Sequence, residues 1–110
     1  MNTKGYLSIV LNTHLPYVRH PEYEFFLEEN LYYEAVSECY IPIIHTLDKL
    51  YNENIPTRLT ISFTPSLLSM MADELLKKRC QNYIASRLKL AEKEILRTRD
   101  NYELNHIAKF

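Results

Sequence analysis

Glycine is nearly absent from these 110 residues: Gly5 stands alone, where average usage near 7% would supply about eight. Two-residue hairpin turns need positive φ from Gly, Asn or Asp, and with one Gly a hairpin-rich all-β fold is not expected. A glycine-rich phosphate cradle is excluded. Neither charge dominates, with 13 Lys and Arg against 14 Asp and Glu and a formal net charge of −1. The basic stripe of a phosphate-backbone binder is missing, and no nucleic-acid partner is expected. The two cysteines, Cys39 and Cys80, lie far apart without metal-ligand neighbours and read as reduced, buried small hydrophobes. His14, His20, His45 and His106 show no zinc spacing, so neither a metal nor another cofactor is expected. No stretch approaches the ~20 apolar residues of a bilayer span. The apolar run at residues 6–11 is too short for a secretory signal. A cytoplasmic chain with no membrane contact is the expectation, and 110 residues allow one domain, not two cores.

What is present falls into alternating segments. Residues 6–11 form a short, near-continuous apolar run, the pattern of a strand covered on both faces. Asn12, Thr13 and His14 then break it, and Pro16 and Pro21 keep the next stretch out of a helix. Over residues 22–52 the period turns helical, with Leu31, Ala35, Cys39, Ile43, Leu47 and Leu50 on one stripe. Pro42 lies inside this pattern and clashes with the carbonyl of Glu38, which predicts a kink or two abutting helices. Residues 58–63 alternate, with Leu59, Ile61 and Phe63 on one side and Thr60 and Ser62 on the other, as in a strand with one greasy face.

Thr64-Pro65 reads as a helix N-cap followed by proline at the first helical position. A helix is expected over 66–76 and another over 82–98, the latter placing Ile84, Leu88, Ala91 and Ile95 on one face. Glu94 and Arg97 are spaced to pair weakly. Lys77-Lys78-Arg79 reads as a solvated helix end. Residues 103–110 carry weak helical character.

Strand, long crossover helix, strand and further helices make a βαβ unit, an α/β pattern with two parallel strands at about 6–11 and 58–63. Two strands alone leave both sheet edges bare, so the chain reads as the opening of a larger α/β domain. In parallel α/β folds the ligand site lies beyond the carboxyl ends of the strands. Asn12, Thr13, His14 and Thr64 occupy that position. Neutral His and Asn each donate and accept hydrogen bonds, as sugar hydroxyls require, and Tyr17 offers a ring for a sugar's apolar face. Satisfied backbone groups and a packed His14 are the plainer account of the same residues. Glu28, Glu29, Glu34 and Glu38 sit on the crossover helix, where acids form a solvated face; Glu34, beside the apolar stripe, is the one read as a buried or capping partner.

The string from Gly5 through Leu11, Asn12-Thr13-His14-Leu15-Pro16-Tyr17 and on to Glu22 resembles the N-terminus of glycoside hydrolase family 57. So do Phe26-Leu27-Glu28-Glu29, Tyr33-Glu34-Ala35, Tyr40-Ile41-Pro42 and Phe63-Thr64-Pro65-Ser66-Leu67-Leu68. The similarity is to the α-1,4-glucan branching-enzyme and amylase-like members and runs over essentially the whole chain. It implies part of a seven-stranded (β/α)7 barrel, residues 1–110 being an N-terminal fragment of the catalytic domain. The implied chemistry is metal-independent retaining hydrolysis or glycosyl transfer on an α-glucan or maltooligosaccharide.

His14, the histidine of His-x-Pro, is implied to bind substrate, with Asn12 and Tyr17 beside it. Branching-type members generally have a second His where Asn12 stands and a Trp where Leu31 stands, departures that imply altered specificity or relaxed selection. A retaining mechanism needs two carboxylates ~5–5.5 Å apart. In the family they lie on later strands, so no catalytic residue is expected here and the chain alone is expected to be inactive. The alternative is a stand-alone interaction module, or the complementing half of a split barrel. Its partners would be the missing remainder of the barrel or, through exposed edges, a second copy.

Overall fold

The computed structural model describes residues 4–109, in which two parallel strands are joined by a long helical crossover and followed by three helices. Strand β1 spans Val10–Thr13 and β2 spans Thr60–Phe63, in the register Val10↔Thr60 to Thr13↔Phe63. The expected βαβ order and parallel pairing are therefore present. The first strand lies later than the apolar run that predicted it. Tyr6 and Leu7 are almost fully exposed, because β2 offers ladder partners only from Thr60 onward, whose N–H donates to the Ile9 carbonyl at 3.2 Å. Nor is β1 covered on both faces. Leu11, Thr13, Ile61 and Phe63 turn toward Tyr40, Ile43, Ile44 and Met71 around a cavity of about 110 Å³. Val10, Asn12, Thr60 and Ser62 face outward and are exposed. The alternation read in β2 decides which side is which.

The crossover comprises α1 (Glu29–Glu34), a π-helical stretch (Ala35–Tyr40) and α2 (Ile41–Asn52). Pro42 explains the middle piece. It has no N–H and would crowd the carbonyl of Glu38 in a continuing α-helix. The backbone widens instead, Ile41 N–H reaching back five residues to the Val36 carbonyl. Pro42 then falls in the first turn of α2, where its missing donor is not needed. The π-stretch also moves the apolar stripe. Ile43, Leu47 and Leu50 are half-buried as expected, but upstream the inward residues are Tyr32, Tyr33, Val36 and Tyr40, while Leu31 and Cys39 are exposed. A regular period extended back from α2 lands one residue early.

Helix α2 ends in a Schellman arrangement: Ile55 N–H donates to the Leu50 carbonyl at 2.9 Å and Asn54 N–H to the Tyr51 carbonyl at 3.0 Å. Asn54 takes the left-handed position, φ 55°.

Helix α3 (Pro65–Ala72) starts at the Thr64-Pro65 signal, although the Thr64 hydroxyl lies 3.2 Å from Ser66 Oγ and caps no backbone N–H. The expected pair of helices at 66–76 and 82–98 is redivided at Asp73. That residue is extended, and its Oδ1 accepts the Leu76 N–H at 2.9 Å, so it caps the 24-residue α4 (Glu74–Arg97). Asp is among the strongest N-caps, and this was the overlooked signal. Lys77 and Arg79 are consequently in the first turns of α4, not at a solvated end. Arg79 turns inward onto Glu29. Of the four residues on one face of the expected second helix, Ile84 and Ile95 are half-buried, whereas Leu88 and Ala91 are exposed.

Helix α5 (Tyr102–Lys109) folds back on α4 through Asn105 Nδ2, which donates to the Ile95 carbonyl at 2.8 Å and to Thr98 Oγ1 at 3.3 Å. The core lies among Val18, Tyr32, Tyr33, Leu67, Met70, Leu76 and Cys80, between the crossover, α3 and the start of α4. Among the described residues no helix is long and apolar enough to cross a membrane.

Candidate functional site at the strand ends

The carboxyl ends of β1 and β2 lie side by side, and small hydroxyl side chains join them. The Thr13 hydroxyl donates to the Ser62 carbonyl, and Ser62 Oγ donates to Asn12 Oδ1 at 2.7 Å. The ladder continues one step past the strands, with Thr64 N–H on the Thr13 carbonyl at 3.3 Å. Ser66, in the first turn of α3, donates to the Leu15 carbonyl at 3.1 Å. This bond ties the turn after β1 to the turn after β2. Hydroxyls suit the task because each donates once and still accepts.

Of the candidate substrate residues, Asn12 and Thr13 lie within β1, and His14 is the first residue beyond it. Asn12 sits on the exposed sheet face, engaged with Ser62. His14 is exposed at the strand end, not packed inward, and Tyr17 is 57% exposed. The structure thus brings Asn12, His14, Thr64 and Ser66 to one end of the sheet, with Tyr17 in the following loop. In the same loop the Tyr23 ring, 53% exposed, stacks on Phe26 at 5.4 Å, and Phe26 lies 3.7 Å from the His20 ring. Residues 12–17 and 63–67 contain no Asp or Glu, so these strand ends supply neither carboxylate of a retaining pair. Among the described residues no three His, Cys, Asp or Glu side chains converge in a way that could hold a metal ion.

Next to the loop lies a group that the sequence reading missed. Glu29, read among solvated acids, is 1% exposed. Arg79 Nη1 reaches both its oxygens, at 2.6 and 2.8 Å; the Tyr33 hydroxyl donates to Oε2 at 2.6 Å, and the His20 N–H donates to Oε1 at 3.1 Å. Burial alone would raise the Glu29 pKa, but these donors outweigh it and hold the carboxyl below its ordinary value. The Tyr33 hydroxyl is pushed well up, by burial first and then by its bond to Glu29. Partners fifty residues apart leave no local signal, and Glu34, the acid read as the buried one, is exposed.

Fold and strand ends together define a βαβ unit of the parallel α/β class. No family model matches the chain. It is 38% identical over 93 residues, 84% of its length, to a 1,4-alpha-glucan branching enzyme of Thermococcus kodakarensis. Its backbone superposes on the crystal structure of the alpha-amylase AmyC from Thermotoga maritima with a TM-score of 0.90, over 98% of the chain and at 38% identity. The resemblance to glycoside hydrolase family 57, in its branching-enzyme and amylase-like members, holds. The chain spans 14% of that branching enzyme and 20% of that amylase chain.

Proposed function

We propose that this chain is the segment of a family 57 α-glucan-active enzyme that supplies the first substrate-contacting strand ends of a (β/α)7 catalytic barrel. His14 would hydrogen-bond a glucosyl ring, Asn12 would assist it, and Tyr17 would cover an apolar sugar face. The nucleophile and the acid/base carboxylate belong to parts outside this chain. The observation carrying the reading is the fit of nearly the whole chain, at 38% identity, to one fifth of an α-amylase chain. An exposed histidine stands at the first strand end of that fit.

The test is a graft. This chain replaces the matched fifth of the T. maritima amylase, and amylose turnover is measured. The grafted enzyme is expected to turn over amylose, and His14→Ala in it to lower kcat/KM by roughly tenfold or more, the worth of one or two hydrogen bonds. Unchanged turnover in the His14→Ala graft would remove His14 from the site. The 110-residue chain alone is expected to release no sugar from amylose, and activity abolished by His14→Ala would overturn that expectation.

A second reading, the complementing part of a split barrel, is favoured by the extent of uncovered surface. Tyr6, Leu7, Phe25, Tyr51, Leu88 and Leu96 are all more than 60% exposed.

A further inference from the structure

We propose that the Arg79–Glu29 ion pair is a positioning clamp for the second half of the loop after β1, residues 19–23, on the far side of Val18 from His14 and Tyr17. What the loop does rests on the glucan-site reading above; what holds it rests on geometry alone. Residues 14–28 contain neither helix nor strand and connect β1 to α1. Val18 anchors the middle of the loop in the core, its N–H directed at Met70 Sδ at 3.4 Å. Beyond Val18 both main-chain polar groups of His20 are occupied by the two members of one ion pair. Glu29 accepts the His20 N–H at 3.1 Å, and Arg79 Nη1 donates to the His20 carbonyl at 3.3 Å. Arg79 Nη2 donates further along, to the Tyr23 carbonyl. Arg19 adds a third tie, its Nε 2.6 Å from Asp73 Oδ2 at the junction of α3 and α4.

A buried ion pair is a weak source of net stability, since desolvation offsets most of its attraction. What this one provides is direction. Apart from its bonds to Glu29, each hydrogen bond of Arg79 goes to a loop carbonyl. Tyr33 occupies the second Glu29 oxygen and fixes the carboxylate in turn. A lysine would keep the charge and lose the fork that spans Glu29 and two carbonyls. Neither Arg79 nor Glu29 touches His14, so both are positioning residues.

The experiment is native-state trypsin cleavage of the full chain, read by mass spectrometry at Arg19 in the loop and at Arg87 within α4. Local release of the loop speeds the Arg19 cut alone, whereas global unfolding speeds both. Arg79→Lys and Glu29→Gln are expected to raise the Arg19-to-Arg87 cleavage ratio roughly tenfold, the scale of one lost charge-assisted hydrogen bond. Cleavage rising in step at both sites in both variants overturns the clamp. So does a wild-type chain cut as fast at Arg19 as the variants. A parallel arm adds maltoheptaose to the wild-type chain. Slower Arg19 cleavage supports the glucan reading; no slowing removes glucan binding by the chain on its own, and the variant ratio decides the clamp either way.

Discussion

Of the four carboxylates held below their ordinary values, Glu22, Glu29, Asp73 and Glu94, the two least exposed are Glu29 and Asp73, and both lie where the loop after β1 meets the helices. Glu29 is held below its ordinary value of 4.5 by Tyr33, the His20 amide and Arg79 against the opposing effect of burial. Asp73 is held below 3.8, first by the Leu76 N–H that it caps and, against a smaller burial penalty, by Arg19. A carboxyl with a depressed pKa in the fold contributes stability that is fully present above its unfolded value and is lost as pH falls through the folded one. Thermal midpoints are therefore expected to be flat from pH 7 to about 5 and to drop below about 4.5. Glu29→Gln is expected to lower the midpoint at pH 7 and to flatten that acid limb, which thermal melts from pH 3 to 7 would read; an unchanged limb would place the titration elsewhere. His14→Ala, by contrast, removes an exposed ring and is expected to change stability by less than about 0.5 kcal/mol. Single residues were legible where the signal was local: Thr64-Pro65 opening a helix, Glu94 pairing with Arg97 at 2.6 Å. Glu29 and Arg79 were illegible because only the tertiary fold brings them together.

At the scale of elements, the boundaries are set by a few backbone devices, and each makes a distinct prediction. Asn54 closes α2 in a left-handed conformation that costs an ordinary residue about 1–2 kcal/mol. Asn54→Gly is expected to be neutral or slightly stabilising, and Asn54→Val to cost about 1–2 kcal/mol, measured by urea titration. Equal effects of the two would show that the turn is not held in this conformation. Asp73 combines a cap with an ion pair, and two substitutions separate them. Asp73→Asn keeps a capping oxygen and loses the charge on Arg19, whereas Asp73→Ala loses both and is expected to cost about 1 kcal/mol more. The periodic pattern located the crossover and both strands, yet it misphased the first half of the crossover. Periodicity assumes one helical geometry, and Pro42 forces a π-stretch that breaks it. The early placement of β1 has a related origin: apolar residues mark where a strand can form, but the length of its partner decides where it does.

The whole molecule is too open for its length. Its Cα radius of gyration is 18.8 Å, with extents of 58 × 43 × 20 Å, against roughly 13 Å for a compact domain of this size. Its accessible surface is 9308 Å², against about 6,400 Å² for a folded monomer of this mass. The excess, roughly 2,900 Å², exceeds one side of a large obligate interface. It includes both edges of a two-stranded sheet, one whole sheet face and the outer half of α4. Two parallel strands with bare edges and exposed Tyr6, Leu7 and Ile9 beside them form a template for further pairing. At micromolar concentration the isolated chain is therefore expected to elute larger than a 13.1 kDa monomer and to bind a hydrophobic dye. If the split-barrel reading is right, adding the remaining four fifths of the T. maritima amylase as a separate chain is expected to convert it to a one-to-one complex with the dye signal lost. A monodisperse monomer with a radius of gyration near 13 Å would mean that the chain closes on itself in solution, and the segment reading would fall at its physical root.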